Sequence, residues 1–144
     1  MNTKTLIQGH LLCFVIICFI SCSGVSDKKS EIIGIWESDL IDSPDLGLIT
    51  YTILFGENRK YELHIKLDTG ETLSFSGKFT LEKDILLLHT TLGYGLEDGK
   101  KVYTEEIDIN QKYHILKLDS DKLVLKMLNY DINEDILEFK RKGL

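Results

Sequence analysis

The chain has 144 residues, of which 28% are charged, and it carries a formal net charge of −6. A chain of this length favours one domain that is large enough to bury a hydrophobic core. The acidic balance excludes nucleic-acid binding, because that function needs a basic surface and the Lys and Arg residues form no long cluster.

The first element along the chain is a short apolar run at residues 11–20, preceded by Lys4 and followed by a hydrophilic stretch at residues 26–30. A basic start, an apolar centre and a small residue behind it predict a secretory signal peptide. The run is too short to cross a ~30 Å hydrocarbon layer as a helix of about 20 residues.

Ile20 and Ser21 stand directly before Cys22. In this arrangement residues 1–22 resemble a bacterial lipoprotein signal, in which the cysteine becomes the lipid-modified first residue. The resemblance implies that the preceding 21 residues are removed and that Cys22 carries acyl chains. Each buried methylene adds about 0.8 kcal/mol, so several chains would anchor the protein stably to a membrane. Two alternatives remain: an ordinary signal peptide cut nearby, with Cys22 an unmodified thiol, or a retained anchor.

Cysteine usage agrees with this prediction. Cys13 and Cys18 lie in the signal peptide (residues 1–21), so Cys22 is the one cysteine expected in the mature chain, and neither a disulfide nor a thiolate metal site is expected. The next residues, Ser23 and Gly24, lack the Asp often linked to inner-membrane retention in enteric bacteria. We therefore expect a lipid-anchored protein of the cell envelope, held at the outer membrane by a tether at residues 22–30.

Beyond Glu31 the dominant pattern is an alternation of apolar and polar residues with a period of two, which predicts β-strands. Tyr61, Leu63, Phe75 and Phe79 belong to the clearest apolar stripes and should face inward. No helix longer than a turn or two is predicted. Eight strands are expected, at residues 32–39, 48–56, 59–67, 71–80, 84–91, 101–117, 122–129 and 135–141.

The connections between these strands predict a cup. Tight polar turns are expected at 56–58, 82–83 and 119–121, and longer connections at 40–47, 92–100 and 130–134, with 68–70 as a short exception. In an up-and-down meander the two groups lie at opposite ends, a closed end with tight turns and an open end with long loops. Eight antiparallel strands can close into a barrel, which is either filled by side chains or holds one small ligand. A two-sheet sandwich is the structural alternative.

Several short motifs follow one another along the chain. They are Gly34, Ile35 and Trp36, then Tyr61, Glu62 and Leu63, then residues 76–81, 84–88, 113–119, 122–125 and 137–141. In this order and spacing they resemble the lipocalin-like (calycin) lipoproteins of Bacteroidetes-type bacteria, whose first strand opens with Gly-x-Trp. The resemblance covers nearly all of residues 31–144. It implies an all-β, eight-stranded antiparallel up-and-down barrel in that range.

The resemblance also implies roles for Trp36 and Arg141. In lipocalins the Trp plugs the closed end and a late Arg packs over it, a cation–π contact of roughly 0.5–2 kcal/mol. Leu137, Phe139 and Arg141 share one strand face, which agrees with an inward Arg141. The alternative is that Trp36 is an ordinary core aromatic and Arg141 a solvated charge.

The titratable residues predict no catalytic or metal site and no cofactor. His89 and His114 lie on strands predicted to be neighbours, and a nearby glutamate would complete a zinc site, but no dense ligand spacing supports one. Glu105 is a candidate interior polar residue because it shares strand parity with Tyr103. Since a buried charge is costly unless paired, a solvated position at the rim is the favoured alternative. No nucleophile elbow is present.

Apolar residues in the predicted loops indicate a contact surface at the open end, for a ligand or a partner. The candidates for this rim are Leu46, Tyr94, Leu96, Tyr130 and Ile132. The glycine-rich segment 92–99 lacks a Gly-Lys-Ser/Thr ending and is interpreted as a mobile flap, not a phosphate loop.

Two functions are compatible with these predictions. The first is non-catalytic binding of a small apolar or amphipathic ligand by a membrane-tethered cup. The second is an envelope protein-interaction module that acts as an inhibitor, an immunity factor or an assembly accessory. An enzyme is the least favoured possibility, because no set of acid, base and nucleophile is apparent.

Overall fold

The computed structural model describes residues 28–128 and 136–143. In these ranges the chain forms one short helix and nine strands. They are α1 (Lys28–Ile32), β1 (Gly34–Ser38), β2 (Ile41–Ser43), β3 (Gly47–Phe55), β4 (Lys60–Leu67), β5 (Thr72–Glu82), β6 (Ile85–Glu97), β7 (Lys100–Leu118), β8 (Lys122–Met127) and β9 (Ile136–Arg141). The predicted signal peptide and Cys22 lie outside the described residues.

The sheet closes on itself through β1. On one side β1 pairs with β3, with Trp36 opposite Ile53, and on the other it pairs with β9, with Trp36 opposite Arg141. The strands from β3 to β9 are neighbours in sequence order, and every pair is antiparallel. The short strand β2 pairs with the first three residues of β3, Gly47 to Ile49. The predicted eight-stranded antiparallel barrel is confirmed, and the sandwich alternative is wrong.

The strand bounds agree with prediction to within a few residues except at two connections. The first, predicted as a long loop at 40–47, contains the unpredicted strand β2 (Ile41–Ser43), and the fifth also differs. Strand β6 continues to Glu97, and β7 begins at Lys100. Between them Asp98 and Gly99 have φ values of 50° and 73°, as a two-residue type I′ turn requires. The flap predicted for residues 92–99 is therefore wrong, because this segment belongs to a long hairpin.

The half of the barrel next to the closed end is filled with large side chains. Trp36 is fully buried, and Phe55 and Phe79 meet edge to face with ring centroids 5.0 Å apart. This is a favourable geometry for aromatic pairs. The four side chains expected to face inward do so. Tyr61 and Phe79 belong to this core, and Leu63 and Phe75 line the interior above it.

Arg141 and Trp36 close the bottom of the barrel together. The guanidinium carbon of Arg141 lies 4.2 Å from the centroid of the Trp36 ring. Its Nη1 donates to the carbonyl of Ile33 at 2.8 Å, and Nη2 and Nε donate to the carbonyls of Glu31 and Ser120. One side chain thus joins the end of α1, the β7–β8 turn and the indole face.

The glycine at the start of β1 makes room for this contact. Gly34 has a φ of 139°, and a Cβ at this position would lie 2.5 Å from Nη1 of Arg141. A side chain here would be strained in its backbone and would displace the guanidinium. The Gly-x-Trp motif therefore has a local physical basis, since the glycine admits the arginine that covers the tryptophan.

We predict that Arg141→Ala lowers the free energy of unfolding by about 2–4 kcal/mol, because three charge-assisted hydrogen bonds and a cation–π contact are lost. Arg141→Lys should recover only part of this loss, because the compact ammonium group of lysine lacks the planar set of donors with which the guanidinium reaches three carbonyls. The matched control is Lys142→Ala, which removes an exposed ion pair with Glu37 and should cost no more than about 1 kcal/mol. Urea denaturation measures each value, and equal losses for Arg141→Ala and Lys142→Ala would contradict the prediction.

The β7–β8 turn at the closed end is organised by the carboxylate of Asp119. Asp119 accepts hydrogen bonds from the backbone N–H groups of Asp121 and Lys122 at 2.9 and 2.7 Å. Lys117 Nζ lies 3.1 Å from the same carboxylate. These donors, and the Asp121 N–H most of all, favour the ionised form and lower the pKa of Asp119 to about 2.

A depressed carboxylate pKa contributes stability at neutral pH that is lost in acid. The contribution of Asp119 is fully present above the ordinary aspartate pKa of 3.8 and disappears as the pH falls through about 2. We therefore predict that Asp119→Ala melts below the wild type at pH 7 and that the difference shrinks between pH 4 and pH 2. Asp45→Ala, which removes an exposed carboxylate at the other end, is the control. A difference in melting temperature that stays constant across this pH range would refute the prediction.

Candidate functional site

Above the filled half, the interior of the barrel contains a cavity of about 270 Å³. Seven of the barrel strands, β3 to β9, contribute side chains to it. The lining residues are Tyr51, Ile53, Leu63, Ile65, Phe75, Leu88, Thr90, Ile109, Gln111, Tyr113, Leu125, Met127, Leu137 and Phe139. The cavity is thus a predominantly apolar cup within the barrel.

Strand register places one inner row of residues next to the cavity. Ile53, Leu63, Phe75 and Gly93 stand side by side on β3, β4, β5 and β6, so they share the inner face. Gly93 brings no side chain to this row. A Cβ placed on it would lie 3.5 Å from the ring of Phe75, which is ordinary contact. The inner face therefore has one position without a side chain at this level, and Phe75 and Ile107 pack against it.

The polar groups of the cavity are few and uncharged. Gln111 pairs with Leu88 across β6 and β7, so its side chain lies on the inner face, where it is half-buried. Its amide makes no hydrogen bond to any residue in the described part of the chain. Gln111 was missed by the sequence analysis, although its parity with Tyr113 and Ile115 could have placed it inside.

A second polar group, Thr90, is buried and already paired. Its hydroxyl shares a hydrogen bond with the hydroxyl of Tyr61, whose side chain is 1% exposed. Burial raises the pKa of Tyr61 above its usual value of 10.0, and the weaker effect of the Thr90 hydrogen bond lowers it. Tyr61 therefore stays neutral at physiological pH and contributes a hydroxyl, not a charge, to the interior.

The lining residues include no Asp, Glu, His, Lys, Arg, Ser or Cys. A neutral, mostly apolar cup can bury an uncharged ligand. Across residues 28–128 and 136–143, no group of three or more His, Cys, Asp or Glu residues could hold a metal ion.

The two histidines considered for zinc do not meet. His89 lies opposite Asn110, whereas His114 lies opposite Ile85, four residues away along β6. Four residues of a strand span about 13 Å, which is too far for one metal ion. His89 instead forms a hydrogen bond of 2.9 Å with Asp108 on the outer face.

Three of the five rim candidates, Leu46, Tyr94 and Leu96, lie within the described residues. Leu46 is exposed in the β2–β3 turn, and Tyr130 and Ile132 lie outside the described residues. Tyr94 and Leu96 belong to β6, where Gly93 and Gly95 occupy the inner positions. The side chains of Tyr94 and Leu96 therefore point outward. Nζ of Lys101 lies 4.3 Å from the centroid of the Tyr94 ring.

Other apolar residues are exposed at the open end instead. All but Leu40 lie within predicted strands and were therefore not candidates for the rim. They are Leu40, Leu48, Val102, Tyr103, Leu128 and Ile136. These side chains make the described part of the open end more apolar than the loops alone predict.

Glu105 does not occupy an interior position. It lies opposite Gly93, so it shares the inward face, but it is solvent-exposed near the top of the β6–β7 hairpin. β7 extends further toward the open end than β8 and β9 do. Its pairing with β8 begins only at Tyr113, opposite Met127, and β9 begins at Ile136, opposite Lys126. Glu105 is thus a solvated residue at the rim, because the barrel does not enclose it.

No protein-family model matches the chain, and no curated protein is significantly similar to it. In residues 28–128 and 136–143, no helix has the length and apolar character needed to cross a membrane. The function is therefore inferred from the barrel and from the chemistry of its cavity.

We predict that Thr90→Val and Tyr61→Phe each cost about 1–3 kcal/mol of stability, because each leaves the other hydroxyl buried without its partner. The double variant Tyr61→Phe/Thr90→Val should cost clearly less than the sum, since both polar groups are then gone. Thermal or urea denaturation of the four proteins gives the coupling energy. Strictly additive losses would show that the two hydroxyls do not depend on each other.

Proposed function

We propose that this protein is a lipocalin-like lipoprotein of the calycin group, of Bacteroidetes type, that binds a small apolar or amphipathic molecule without transforming it. The observation that carries the proposal is the cavity of about 270 Å³ inside the barrel. Its lining is predominantly apolar, and its polar groups are uncharged. Pockets of this character are the usual sites of small-molecule binding in proteins.

The dimensions and polarity of the cavity limit the ligand. A volume of about 270 Å³ lies just below the ~300–1,000 Å³ range of small-molecule pockets. It fits a short acyl chain or a single small ring system better than a large cofactor. The half-buried amide of Gln111 would donate to or accept from one polar group of the ligand. A neutral amphipathic molecule satisfies both features.

Membership in the lipocalin-like group is supported by the contact between the first and the last strand of the barrel. The Trp36 indole from the first strand and the Arg141 guanidinium from the last strand are stacked at the closed end. This is the arrangement that the sequence resemblance implies. The support is structural and concerns the closed end, so it is independent of what the cavity holds.

The proposed lipid anchor would set the orientation of the cup. Helix α1 begins at Lys28, six positions after Cys22, and Lys28 forms an ion pair with Asp84 in the β5–β6 turn at the closed end. A lipid on Cys22 would therefore hold the closed end next to the membrane and direct the cavity away from it. We place the protein at the outer membrane of the cell envelope.

The alternative function is protein binding at the open end. It is favoured by the exposed apolar side chains there, among them Leu40, Val102 and Ile136, which are more than half exposed. Apolar groups collected at one end of a small acidic domain are typical of a contact surface. Pull-down from envelope extracts distinguishes the two functions, because ligand binding needs no protein partner.

The test uses the purified full chain and 1-octanol, a small amphipathic probe, with binding measured by isothermal titration calorimetry. We predict that Leu63→Trp weakens octanol binding by about tenfold or more, because the indole would fill part of the cavity. The matched control is Leu54→Trp, which places the same indole on the outer face of β3 and should leave binding unchanged. No binding by the wild type, or equal binding by Leu63→Trp, would overturn the proposal.

A further inference from the structure

A second concave site lies outside the barrel interior, at the closed end. This closed-end groove has a volume of about 380 Å³ and lies between α1, the β3–β4 turn and β5. Its lining residues are Lys29, Ser30, Ile33, Glu57, Arg59, Phe79, Thr80 and Leu81. It shares no lining residue with the cavity inside the barrel, and its volume falls within the ~300–1,000 Å³ range of small-molecule pockets.

The apolar surface of the groove is held in place by the core. Phe79 and Leu81 belong to the hydrophobic core of the barrel, and Ile33 packs against it. The ring of Phe79 also meets the ring of Phe55 edge to face. Because these side chains are already fixed, a ligand bound on them need not order them, which lowers the cost of binding.

Two cations and one carboxylate give the groove its charge. Lys29 lies on α1, Glu57 and Arg59 lie in the β3–β4 turn, and all three side chains are exposed. Two positive charges against one negative charge leave the groove with a formal charge of +1, on a chain of −6. The cavity inside the barrel has no charged lining residue, so the two sites favour ligands of different charge.

The side chain of Arg59 has no role within the turn. The φ of Arg59 is 61°, in the left-handed region where Gly and Asn are preferred over arginine. The turn is held by other groups, since the N–H of Arg59 donates to the carbonyl of Gly56 and Asn58 Oδ1 accepts from the next N–H. The guanidinium makes no hydrogen bond or ion pair with any residue in the described part of the chain.

The position of Arg59 brings its charge to the apolar surface. Its carbonyl accepts a hydrogen bond of 2.9 Å from the N–H of Phe79, so the arginine stands beside that residue across the sheet. A cation without a protein partner thus adjoins a preformed apolar surface. This combination suits a ligand that has a negative head group and an apolar part.

We infer that the closed-end groove is a second binding site, for an anionic amphiphile. The apolar part of the ligand lies on Phe79 and Leu81, and its head group pairs with the guanidinium of Arg59. A guanidinium binds phosphate or carboxylate through two parallel hydrogen bonds, so an alkyl phosphate satisfies both parts of the groove. The inference does not rest on the proposed cup, because burying a charged head group in that neutral cavity would be costly.

The experiment is isothermal titration calorimetry of the full chain with octyl phosphate. The wild type should bind it, and Leu63→Trp, which fills part of the cavity inside the barrel, should bind it equally well. Inorganic phosphate has the head group without the chain, and 1-octanol has the chain without the charge. Each should bind Leu63→Trp about tenfold or more weakly than octyl phosphate does, because each contacts only one part of the groove.

Substitution of Arg59 separates binding from folding. Arg59→Asn should weaken the binding of octyl phosphate by about tenfold or more, while the melting temperature stays the same or rises, because asparagine tolerates the left-handed conformation. Arg59→Lys should retain more affinity than Arg59→Asn, since it keeps the charge. The matched control is Lys83→Asn. Lys83 has a φ of 55° in the β5–β6 turn at the same end but does not line the groove, so binding should change by less than about twofold.

The sign of the ligand charge is tested at Glu57. Glu57→Gln should strengthen the binding of octyl phosphate by about twofold or more, because a carboxylate that repels the head group is removed. Weaker binding by Glu57→Gln would contradict a negative head group and overturn the inference.

Other results would also overturn the inference. They are no binding of octyl phosphate by the wild type, equal effects of Arg59→Asn and Lys83→Asn, and inorganic phosphate bound as tightly as octyl phosphate. Loss of octyl phosphate binding in a folded Leu63→Trp chain would overturn it too, since the ligand would then occupy the cavity inside the barrel. A wild type that binds octyl phosphate but not 1-octanol would contradict the proposed function and support the closed-end groove.

Discussion

The double pairing of β1 is the constraint on which the rest of the structure depends. This strand has only five residues, yet it pairs with β3 on one side and β9 on the other and so turns a sheet into a ring. Trp36, in its middle, is fully buried. Burial of an indole of about 200 Å² contributes at most about 5 kcal/mol, which makes this residue one of the strongest single contacts in the closure. Without the closed ring of strands the sheet would enclose neither an interior nor a cavity.

The interior is filled by side chains near the closed end and contains the cavity nearer the open end. The sizes of the inward side chains explain this difference. Near the closed end the inner positions hold Trp36, Phe55 and Phe79, which fill the space between the strands. Higher up, most of the inner positions around the cavity hold aliphatic side chains, such as Leu63, Ile65 and Leu88. The cavity therefore arises from residue volume within a regular barrel and needs no special loop to form it.

Much of the fold could be predicted from the sequence because alternation is a property of each strand by itself. Tyr61, Leu63, Phe75 and Phe79 face inward as their spacing indicates. Tyr94 and Leu96 were assigned to the predicted connection 92–100, whereas they lie on the outer face of β6, beyond a register shift against β5 between Ser76 and Gly77. A shift of this kind depends on the neighbouring strand, so the residues of one segment do not reveal it.

The site was harder to predict than the barrel. Gln111 is polar and was therefore not assigned to the interior, although it shares strand parity with Tyr113 and lies opposite Leu88 on the inner face. The glycine-rich segment 92–99 was likewise interpreted as a loop. Its glycines instead permit close packing, since the ring of Tyr103 lies where a side chain on Gly95 would stand.

The contact that seals the barrel also governs when the chain can become native. The guanidinium of Arg141 and the carbonyl of Ile33 are separated by 108 positions, and β1 cannot complete its pairing until β9 is present. Topologies that depend on such distant partners fold slowly, because chain entropy must be lost before the rewarding contact forms. Until then β1 and β9 remain open edges that can pair with other molecules. The interval before closure is thus the period in which this protein is most exposed to misassembly and to capture by a chaperone.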